Sequence, residues 1–565
     1  MKTALSMPRT GKRLPIGARS LAVLLLLLTV VWFGSLEYRK LIKPDEGRYA
    51  EIAREMAVSG DWVTPRLNDL KYFEKPPLQY WVTAATMRVF GTSQWQARLW
   101  PALSGFGAIL LLAVTLARIQ GAGAGLYGAA ALASSVLWVY MGHFSTLDMG
   151  LSATMSMSFC GLLLAAQAHE EGSRRNEHLA MLLAWAGMAL AVLSKGLIGI
   201  LLPGGAVLLY VLIWRDWGLL LRLRWLTGLA LFALLCVPWF VLVAQRNPEF
   251  AQFFFIHEHI DRFLTPTHRR TGPVWYFVPV LLGGLLPWTG FLPRALLRAL
   301  RGHHDQQDAS AARFSLRFSV VWVVLICAFF SASSSKLPSY ILPVFPALAV
   351  LIGHELTRCS ARHLMVQSLG LAVFALAGTF ALMAPNLLTG EQNPADLVAR
   401  YRIWLVVCMA SLCAGALLAA WLAARQRHAA AILCLAVCAG LAGNASLLGH
   451  NELAPSTSAA HLAGELKAVI DPAAPFFSVG MYEHALSYYL ARPLTLVDYR
   501  DELDFGLTQE PDKGISTLDA FTTRWNTLPQ AYAIMTPGLF ETLKKRRLPM
   551  RLLIEDRRRI VVARH

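Results

Sequence analysis

Two aspartates stand where the chain passes between apolar runs and polar segments. Asp45 follows the first apolar run in the segment PDEGRYAEIAREM, and Asp148 begins a later apolar run in the segment HFSTLDMG. Carboxylates at a membrane boundary are energetically costly, which makes them candidates for function. We predict that both side chains face one cavity at the outer membrane boundary as catalytic residues. Helix capping is the structural alternative for each.

A second set of residues could bind an anion. Its members fall on predicted outer loops or at the outer ends of apolar runs, and they are Arg48, Lys75, Arg262, Arg270, Lys336 and Tyr340. Lys195, in the segment LSKG, falls at the same level. Cations gathered at one depth indicate a bound anionic group, and a lipid phosphate is the natural candidate. Any single cation is more often explained by a long side chain that reaches the interface.

A third set could hold a divalent ion. Glu74, His257 and His259 could do so together with Asp148, because imidazole and carboxylate groups suit zinc or manganese. The two histidines are two positions apart, so they would share an ion in an extended loop but not on one face of a helix. Ordinary interfacial histidines are the alternative, and no cofactor is predicted to be required.

The elements that position these residues are membrane spans. Of the 565 residues, 56% are hydrophobic and 15% are charged, and the mean hydropathy is +0.47. Soluble domains carry roughly 25% charged residues. Apolar runs of about 17 to 25 residues recur along the chain, long enough to cross a bilayer as helices. The sequence predicts a polytopic α-helical membrane protein with thirteen spans: 18–35, 102–120, 122–141, 149–167, 178–195, 197–213, 225–244, 274–292, 318–334, 340–357, 364–387, 403–424 and 429–449.

The net charge of +17 does not indicate a nucleic-acid partner. Arginine recurs in alternate short loops, which is the bias of cytoplasmic loops in membrane proteins. This places the N-terminus in the cytoplasm, and an odd number of spans places the C-terminus outside. The eight cysteines form no CxxC pair and suggest neither disulfides nor structural zinc.

Two long outer loops, 36–101 and 245–273, carry most of the candidate residues. The first is predicted to contain two amphipathic helices whose apolar faces rest on the bilayer or on the helical bundle. One begins with Asp45 as its N-cap and ends at Ser59 and Gly60. The other begins at Pro76 and Pro77 and stops at Gly91.

Residues 450–565 differ in character from residues 1–449. Helical patterns at 457–470, 515–526 and 537–547 alternate with strand-like runs at 476–479, 494–497, 531–535, 551–554 and 560–563. This predicts a soluble α/β domain on the outer side. It contains no Gly-rich phosphate loop.

The first outer loop also carries a family resemblance. The segments DEGRYAEIAREM, SGDW and YFEKPPLQYW resemble the N-terminal signature of the bacterial 4-amino-4-deoxy-L-arabinose lipid A transferases, the ArnT family. These enzymes belong to the GT-C glycosyltransferase superfamily, together with the protein O-mannosyltransferases. The segments SKG and SKLPSYILP are also similar to family elements, and the resemblance extends over the whole chain.

The resemblance implies a GT-C fold and an enzyme of the inner membrane. The implied donor is undecaprenyl phosphate carrying aminoarabinose, and the implied acceptor is a lipid A phosphate, whose masking gives resistance to polymyxin. It also implies a catalytic role for Asp45 and a donor-phosphate contact for Lys75, with Glu74 beside it. Which arginine of the second outer loop binds phosphate is left open.

Three other functions are weighed against this one. The nearest is another GT-C transferase that moves a sugar such as mannose from polyprenyl phosphate to protein or glycan. A lipid flippase would show inverted repeats and polar residues near the middle of the bilayer, and the sequence shows neither. A scaffold protein would leave the 44–81 segment unexplained.

Overall fold

The computed structural model describes residues 15–261, 271–301, 310–384, 387–390, 393–499 and 501–564. The helices up to residue 449 are α1 (Ala18–Phe33), α2 (Asp45–Ser59), α3 (Leu78–Phe90), α4 (Gln94–Ile119), α5 (Ala122–Ser134), α6 (Val136–Gly142), α7 (Leu147–Glu170), α8 (Arg174–Lys195), α9 (Ile198–Trp214), α10 (Gly218–Arg222), α11 (Trp225–Arg246), α12 (Phe277–Gly284), α13 (Leu292–Arg301), α14 (Ser310–Ala332), α15 (Phe345–Arg358), α16 (Ala361–Ala381), α17 (Ala395–Ala424) and α18 (His428–Gly449). Gln252–Asp261 forms a π-helical segment, and Pro338–Val344 forms a 3-10 helix before α15.

The later helices are α19 (Ala454–Thr457), α20 (Ala460–Lys467), α21 (His484–Leu490), α22 (Asp504–Gln509), α23 (Leu518–Thr527) and α24 (Pro537–Lys545). The strands are β1 (Arg66–Leu67), β2 (Leu70–Lys71), β3 (Phe476–Val479), β4 (Thr495–Val497), β5 (Gly514–Ile515), β6 (Ala531–Met535), β7 (Arg551–Glu555) and β8 (Ile560–Arg564).

The helical part is a membrane-spanning bundle. Among the described residues, nine helices are long and apolar enough to cross a membrane, and two bent pairs raise that number to eleven. The bent pairs are α5 with α6, at 66°, and Val274–Gly284 with Thr289–Arg301, at 112°. Two shorter apolar helices, α1 and α9, coincide with the remaining predicted spans. The polytopic helical class is confirmed, whereas the count of thirteen stays a prediction.

Helices α7 and α8 pack closely at the centre of the bundle. A Cβ on Gly161 would lie 2.6 Å from the backbone nitrogen of Ala184, and one on Gly187 would lie 2.5 Å from that of Ser158. Glycine therefore lets the two backbones approach, which suits helix pairs in a membrane. This contact fixes the positions of Asp148, in the first turn of α7, and Lys195, in the last turn of α8.

The first outer loop forms the two predicted helices, α2 and α3, with one difference at the start. Pro44 is the N-cap of α2, and Asp45 is its first helical residue rather than its cap. Gly60 ends α2 with a φ of 72°, in the left-handed region that glycine adopts without strain. The apolar face of α2 packs in one cluster with α3, with Ala97 and Leu147 of the bundle, and with Tyr482 and Leu503 of the C-terminal domain. On the other side of α2, a Cβ on Gly47 would lie 2.7 Å from the backbone nitrogen of Ala485. We expected this face on the bilayer or the bundle, and the apolar face packs against the bundle and also against the C-terminal domain.

A hairpin between α2 and α3 fastens this loop to the C-terminal domain. Asn68 and Asp69 connect β1 and β2 with φ values of 56° and 61°, which a tight two-residue hairpin turn requires. The side chain of Asn68 exchanges two 2.7 Å hydrogen bonds with the backbone of Leu494. Arg66 binds Glu510 at 3.0 Å. The docked hairpin leads directly into the segment that carries Glu74 and Lys75.

The C-terminal domain contains a six-stranded sheet in the order β5-β4-β3-β6-β8-β7. The first four strands in this order run parallel, while β8 is antiparallel to both β6 and β7. Apolar clusters cover both faces, as an α/β sheet requires. The prediction of an α/β domain with five strands is confirmed. The short strand β5 and helices α21 and α22 were not predicted.

Candidate active site

A cavity of about 1070 Å³ lies between the bundle, the first outer loop and the C-terminal domain. Its walls are the start of α2, the segment before α3, the start of α7, the end of α8, the π-helical segment and α22. Asp45, Asp148, Lys75 and Arg48 all line it. The structure thus brings together residues that lie far apart in the chain.

Asp45 is the most exposed of these side chains. Its carboxylate is 42% exposed and accepts a 3.1 Å hydrogen bond from Arg48, one turn along α2. The position in the first turn of a helix favours a negative charge. Asp45 therefore offers the cavity a carboxylate that is held at one oxygen and accessible to a substrate.

Asp148 lies in the part of the wall formed by the start of α7 and is almost buried. Lys195 donates a hydrogen bond to its carboxylate, which joins the ends of α7 and α8. The ammonium of Lys195 also lies 4.8 Å from the centre of the Tyr340 ring. Lys195 and Tyr340 line the same cavity, so an anion placed there would meet a cation and a phenol together.

Lys75 occupies a third position on the wall. Its ammonium lies 2.8 Å from a carboxylate oxygen of Glu258 and donates to the backbone oxygen of Glu74 at 2.7 Å. Burial raises the pKa of the Glu74 carboxyl, and Glu258 raises it further, against the opposing effect of Lys75. The carboxylates of Glu74 and Glu258 thus both interact with the ammonium of Lys75. A phosphate that bound Lys75 would compete with Glu258 for it.

The C-terminal domain supplies the remaining wall. Arg48 and His484 both donate to the carboxylate of Glu502. Burial would raise the pKa of Glu502, but Arg48 and His484 outweigh it and leave that pKa below its usual value. The carboxylate is therefore ionised at neutral pH and holds Arg48 between two domains.

Beside the cavity, Glu46 forms a buried junction. Its carboxylate binds the guanidinium of Arg98 through two hydrogen bonds, of 2.7 and 2.8 Å, and is 1% exposed. It also accepts from the backbone nitrogens of Ile42 and Ser145, at 3.1 and 3.0 Å. Burial alone would raise the pKa of Glu46, but Arg98 lowers it to about 2. Glu46 thus ties the start of α2, which carries Asp45, to the loop that leads to Asp148.

Three predicted anion ligands lie elsewhere or outside the described residues. Lys336 does not line the cavity, and its buried ammonium donates to the backbone oxygen of Ser331 at 3.1 Å. Arg262 and Arg270 lie outside the described residues.

The predicted metal ligands are only partly described. Glu74 and His257 line the cavity, whereas nothing is described of the side chain of His259. Within the described ranges, no three His, Cys, Asp or Glu side chains are grouped closely enough to hold a metal ion.

Several residues of the site were not singled out from the sequence. They are Glu249, Glu258, His484, Asp501, Glu502 and Asp504. With Asp45, Glu74 and Asp148 they give the described lining eight carboxylates against three Lys or Arg side chains. The acidic segment 498–504 was visible in the sequence, but no local signal indicated that it would fold against the first outer loop.

Comparison with protein families gives two matches. A family model described as the aminoarabinose transferase C-terminal domain matches residues 462–564. A model described as dolichyl-phosphate-mannose-protein mannosyltransferase matches residues 19–254. The second match covers α2, α3 and most of the cavity wall formed by the bundle.

Individual relatives are similar over most of the chain. The undecaprenyl phosphate-alpha-4-amino-4-deoxy-L-arabinose arabinosyl transferase of Pseudomonas aeruginosa strain UCBPP-PA14 is 31% identical, with 86% of each chain covered. Its namesake from Erwinia tasmaniensis is 35% identical over 57% of this chain, and the match spans 56% of that relative's length.

Two solved structures are similar over nearly the whole chain. The crystal structure of ArnT from Cupriavidus metallidurans bound to undecaprenyl phosphate has a TM-score of 0.92 and 38% identity, and it covers 97% of this chain and 98% of its own. The apo structure of the same protein gives 0.90 and 39%, with 96% and 98% covered.

Proposed function

Because this chain belongs to the aminoarabinose transferase family, we propose that it transfers 4-amino-4-deoxy-L-arabinose from undecaprenyl phosphate to a lipid A phosphate. The observation that carries the proposal is the cavity in which Asp45, Asp148, Lys75 and Lys195 meet at the boundary of the bundle. A lipid-linked donor needs cations for its phosphate close to the membrane surface, and this cavity supplies them.

The excess of carboxylates in the cavity lining favours a sugar that carries a positively charged amine. Eight carboxylates line the described part of the cavity, and a sugar with a positively charged amine is stabilised by carboxylates that are not fully neutralised by protein cations. The partly exposed Asp45 is the carboxylate most accessible to such an amine. A neutral sugar such as mannose would gain no ion pair from these groups.

In the proposed reaction, an ionised phosphate oxygen of lipid A attacks the anomeric carbon of the sugar. The bond from that carbon to the donor phosphate breaks, and its electron pair stays on the departing undecaprenyl phosphate. Lys75, which binds Glu258 in the structure, releases that carboxylate and binds the donor phosphate instead. There its ammonium stabilises the charge that develops on the leaving phosphate. Arg48, and Arg262 or Arg270, are the further proposed phosphate ligands, and Tyr340 and Lys195, which lie together in the cavity wall, extend the set.

Asp45 need not act as a base in this reaction. A phosphate acceptor is already ionised at neutral pH, whereas a hydroxyl acceptor would need a base. We propose that Asp45 binds the amine or a hydroxyl of the sugar, and that Asp148 holds Lys195 in place.

A divalent ion at Glu74, His257 and His259 is a separate part of the proposal. Imidazole and carboxylate groups suit zinc or manganese. Purified protein treated with a chelator, and then assayed before and after each metal is restored, tests it directly. Full activity after complete removal of metal would reject a catalytic ion.

The proposed topology is that of a multi-pass protein of the bacterial inner membrane. Residues 1–449 form the transmembrane catalytic domain, with periplasmic loops 36–101 and 245–273, and residues 450–565 form a periplasmic domain. The bundle end opposite the cavity carries Arg118, Arg174 and Arg358. Because cytoplasmic loops are rich in arginine, this supports a cytoplasmic N-terminus at that end. Labelling of single cysteines from each side of the membrane tests this orientation.

The deciding experiment is expression in a bacterial strain that lacks its own aminoarabinose transferase but makes the donor lipid. We expect lipid A to gain the mass of aminoarabinose and polymyxin resistance to return, with the same strain carrying the empty expression vector as the negative control. Unmodified lipid A would contradict the proposal. The mannosyltransferase match over residues 19–254 gives the second candidate function, transfer of a sugar to protein. Glycosylated protein in the same cells would support this second function.

A further inference from the structure

Helix α13 (Leu292–Arg301) has three different faces. Leu292, Ala295 and Ala299 are buried against the bundle. Leu297 and Leu300 are 47% and 61% exposed. The third face carries the arginines, which are Arg294, Arg298 and Arg301.

The order of these faces around the helix is informative. At about 100° per residue, the buried face is followed by the exposed leucines and then by the arginines. A helix at the membrane surface has this arrangement, because leucine faces the acyl chains while arginine stays at the level of the headgroups. A water-exposed helix would not place two large leucines beside its basic face.

The surroundings of α13 place it at the end of the bundle opposite the cavity. It follows the 112° bend after α12, so it does not continue the direction of that helix. Arg298 lies 3.2 Å from the carboxylate of Glu355, near the last turn of α15. The segment before α15 starts at the cavity with Tyr340, so the other end of α15 points away from it.

Among the described residues around Glu355, positive charge is in excess. Glu355 is 1% exposed and has Arg294, Arg298 and Arg358 as its charged neighbours. One carboxylate therefore faces three guanidinium groups. Arg298 is held by it, while Arg294 and Arg301 are exposed on the same face of α13. Arginine pairs of this kind bind phosphate through several parallel hydrogen bonds.

We propose that α13 binds an anionic phospholipid of the leaflet opposite the cavity. Arg294 and Arg301 bind the phosphate of the headgroup, and Leu297 and Leu300 contact an acyl chain. The occupant follows from the faces of the helix, because excess positive charge selects an anionic headgroup and adjacent exposed leucines select a lipid over a soluble anion. The site does not depend on the transferase reaction.

Native mass spectrometry of the purified full chain tests the proposal. We expect the protein in detergent to retain phosphatidylglycerol roughly tenfold better than phosphatidylcholine, because each arginine near a membrane surface contributes attraction to anionic lipid. The double variant Arg294→Gln/Arg301→Gln should lose this preference. Equal retention of the two lipids by the wild-type protein would overturn the proposal whatever the variants do.

A matched control is available on the same end of the bundle. Arg174 and Arg175 are exposed at the start of α8, so Arg174→Gln/Arg175→Gln removes the same charge without touching α13. This control should keep the wild-type preference. Loss of preference in both double variants to the same degree would show nonspecific attraction and reject a site on α13.

One further double variant tests the acyl-chain contact separately from the headgroup contact. Leu297→Ser/Leu300→Ser should weaken retention of phosphatidylglycerol while leaving the protein's thermal unfolding temperature unchanged, since both side chains are exposed. Unchanged retention in this variant would contradict the acyl contact and reduce the site to a surface anion site.

Discussion

Asp45 and Glu46 are adjacent carboxylates with opposite environments. Asp45 is 42% exposed to the cavity and has one arginine beside it. Glu46 is 1% exposed, and its oxygens accept from Arg98 and from two backbone nitrogens. Successive residues of a helix point about 100° apart. That rotation alone sends one side chain into the cavity and the other into the protein.

The difference indicates a division of roles. A carboxylate that is saturated with donors has no capacity for a substrate, but it fixes the elements that contact it. A carboxylate with an accessible oxygen contributes less to rigidity and can bind a ligand. Glu46 therefore positions the start of α2 and the loop before Asp148, while the exposed oxygen of Asp45 is accessible to a ligand in the cavity.

The largest expected effect is on stability, from Glu46→Gln. This change leaves the buried guanidinium of Arg98 without its countercharge, and loss of one partner of a buried ion pair costs about 3–5 kcal/mol. Thermal unfolding of the detergent-purified protein, followed by tryptophan fluorescence, should show a clear decrease in Tm. Asp45→Asn, the same type of change one residue away, is the control and should leave Tm unchanged. Equal Tm values for Glu46→Gln and wild type would contradict the positioning role.

The next effect is on turnover, from Asp45→Asn. We expect kcat for aminoarabinose transfer to fall about 10²-fold, because a charged group that contacts the reacting sugar stabilises the transition state. The measurement is the rate of lipid A modification by purified protein with a saturating amount of donor. Turnover near that of wild type would remove Asp45 from any essential role and would assign the exposed carboxylate a structural one.

A smaller effect is expected on donor binding, from Lys75→Ala. Lys75, like Arg98, is a cation paired with a carboxylate. Among the described side chains, its ammonium lies 2.8 Å from Glu258 and 4.0 Å from Glu74. The affinity for undecaprenyl phosphate should fall about tenfold, as expected for one charged hydrogen bond.

Lys71→Ala is the matched control for this measurement. Lys71 binds Glu249 at 2.6 Å in a similarly half-buried pair, but it does not line the cavity. Its removal should leave donor affinity unchanged. Unaltered affinity in Lys75→Ala would rule out the role of Lys75 in holding the donor phosphate.

The sequence predicted the parts of this site that local patterns encode. The helical period around Tyr49 and Met56 predicts α2, Gly60 predicts its end, and the motif from Asp45 to Lys75 marks a segment that lines the cavity. The patterns did not distinguish Asp45 from Glu46. That distinction depends on Arg98, which reaches Glu46 only after α4 packs beside the loop.

Contacts across the long chain were beyond the sequence patterns. Glu502 and Arg48 are more than 400 residues apart, and their pairing depends on the docking of α21 against α2. The apolar run 122–141 likewise predicted one straight span. In the structure this run bends by 66° after Ser134. The sequence did not predict the bend, because hydropathy reports burial in a membrane but not the direction of a helix.

The smallest expected effect is the dependence of stability on pH. The folded state holds the pKa of Glu46 at about 2, below its ordinary value of 4.5. Its contribution is therefore present above the ordinary value and is lost as the pH falls from there toward 2. When the pH falls from about 7 to about 4, the loss of this contribution should lower the free energy of unfolding by about 1 kcal/mol.

Glu55 has the opposite effect on acid stability, because burial first, and the neighbouring Glu51, raise its pKa, so that its protonation at low pH favours the folded state. The acid-induced decrease in Tm should thus be smaller in Glu46→Gln than in wild type and larger in Glu55→Gln. Parallel pH profiles of all three proteins would show that neither carboxylate controls acid stability.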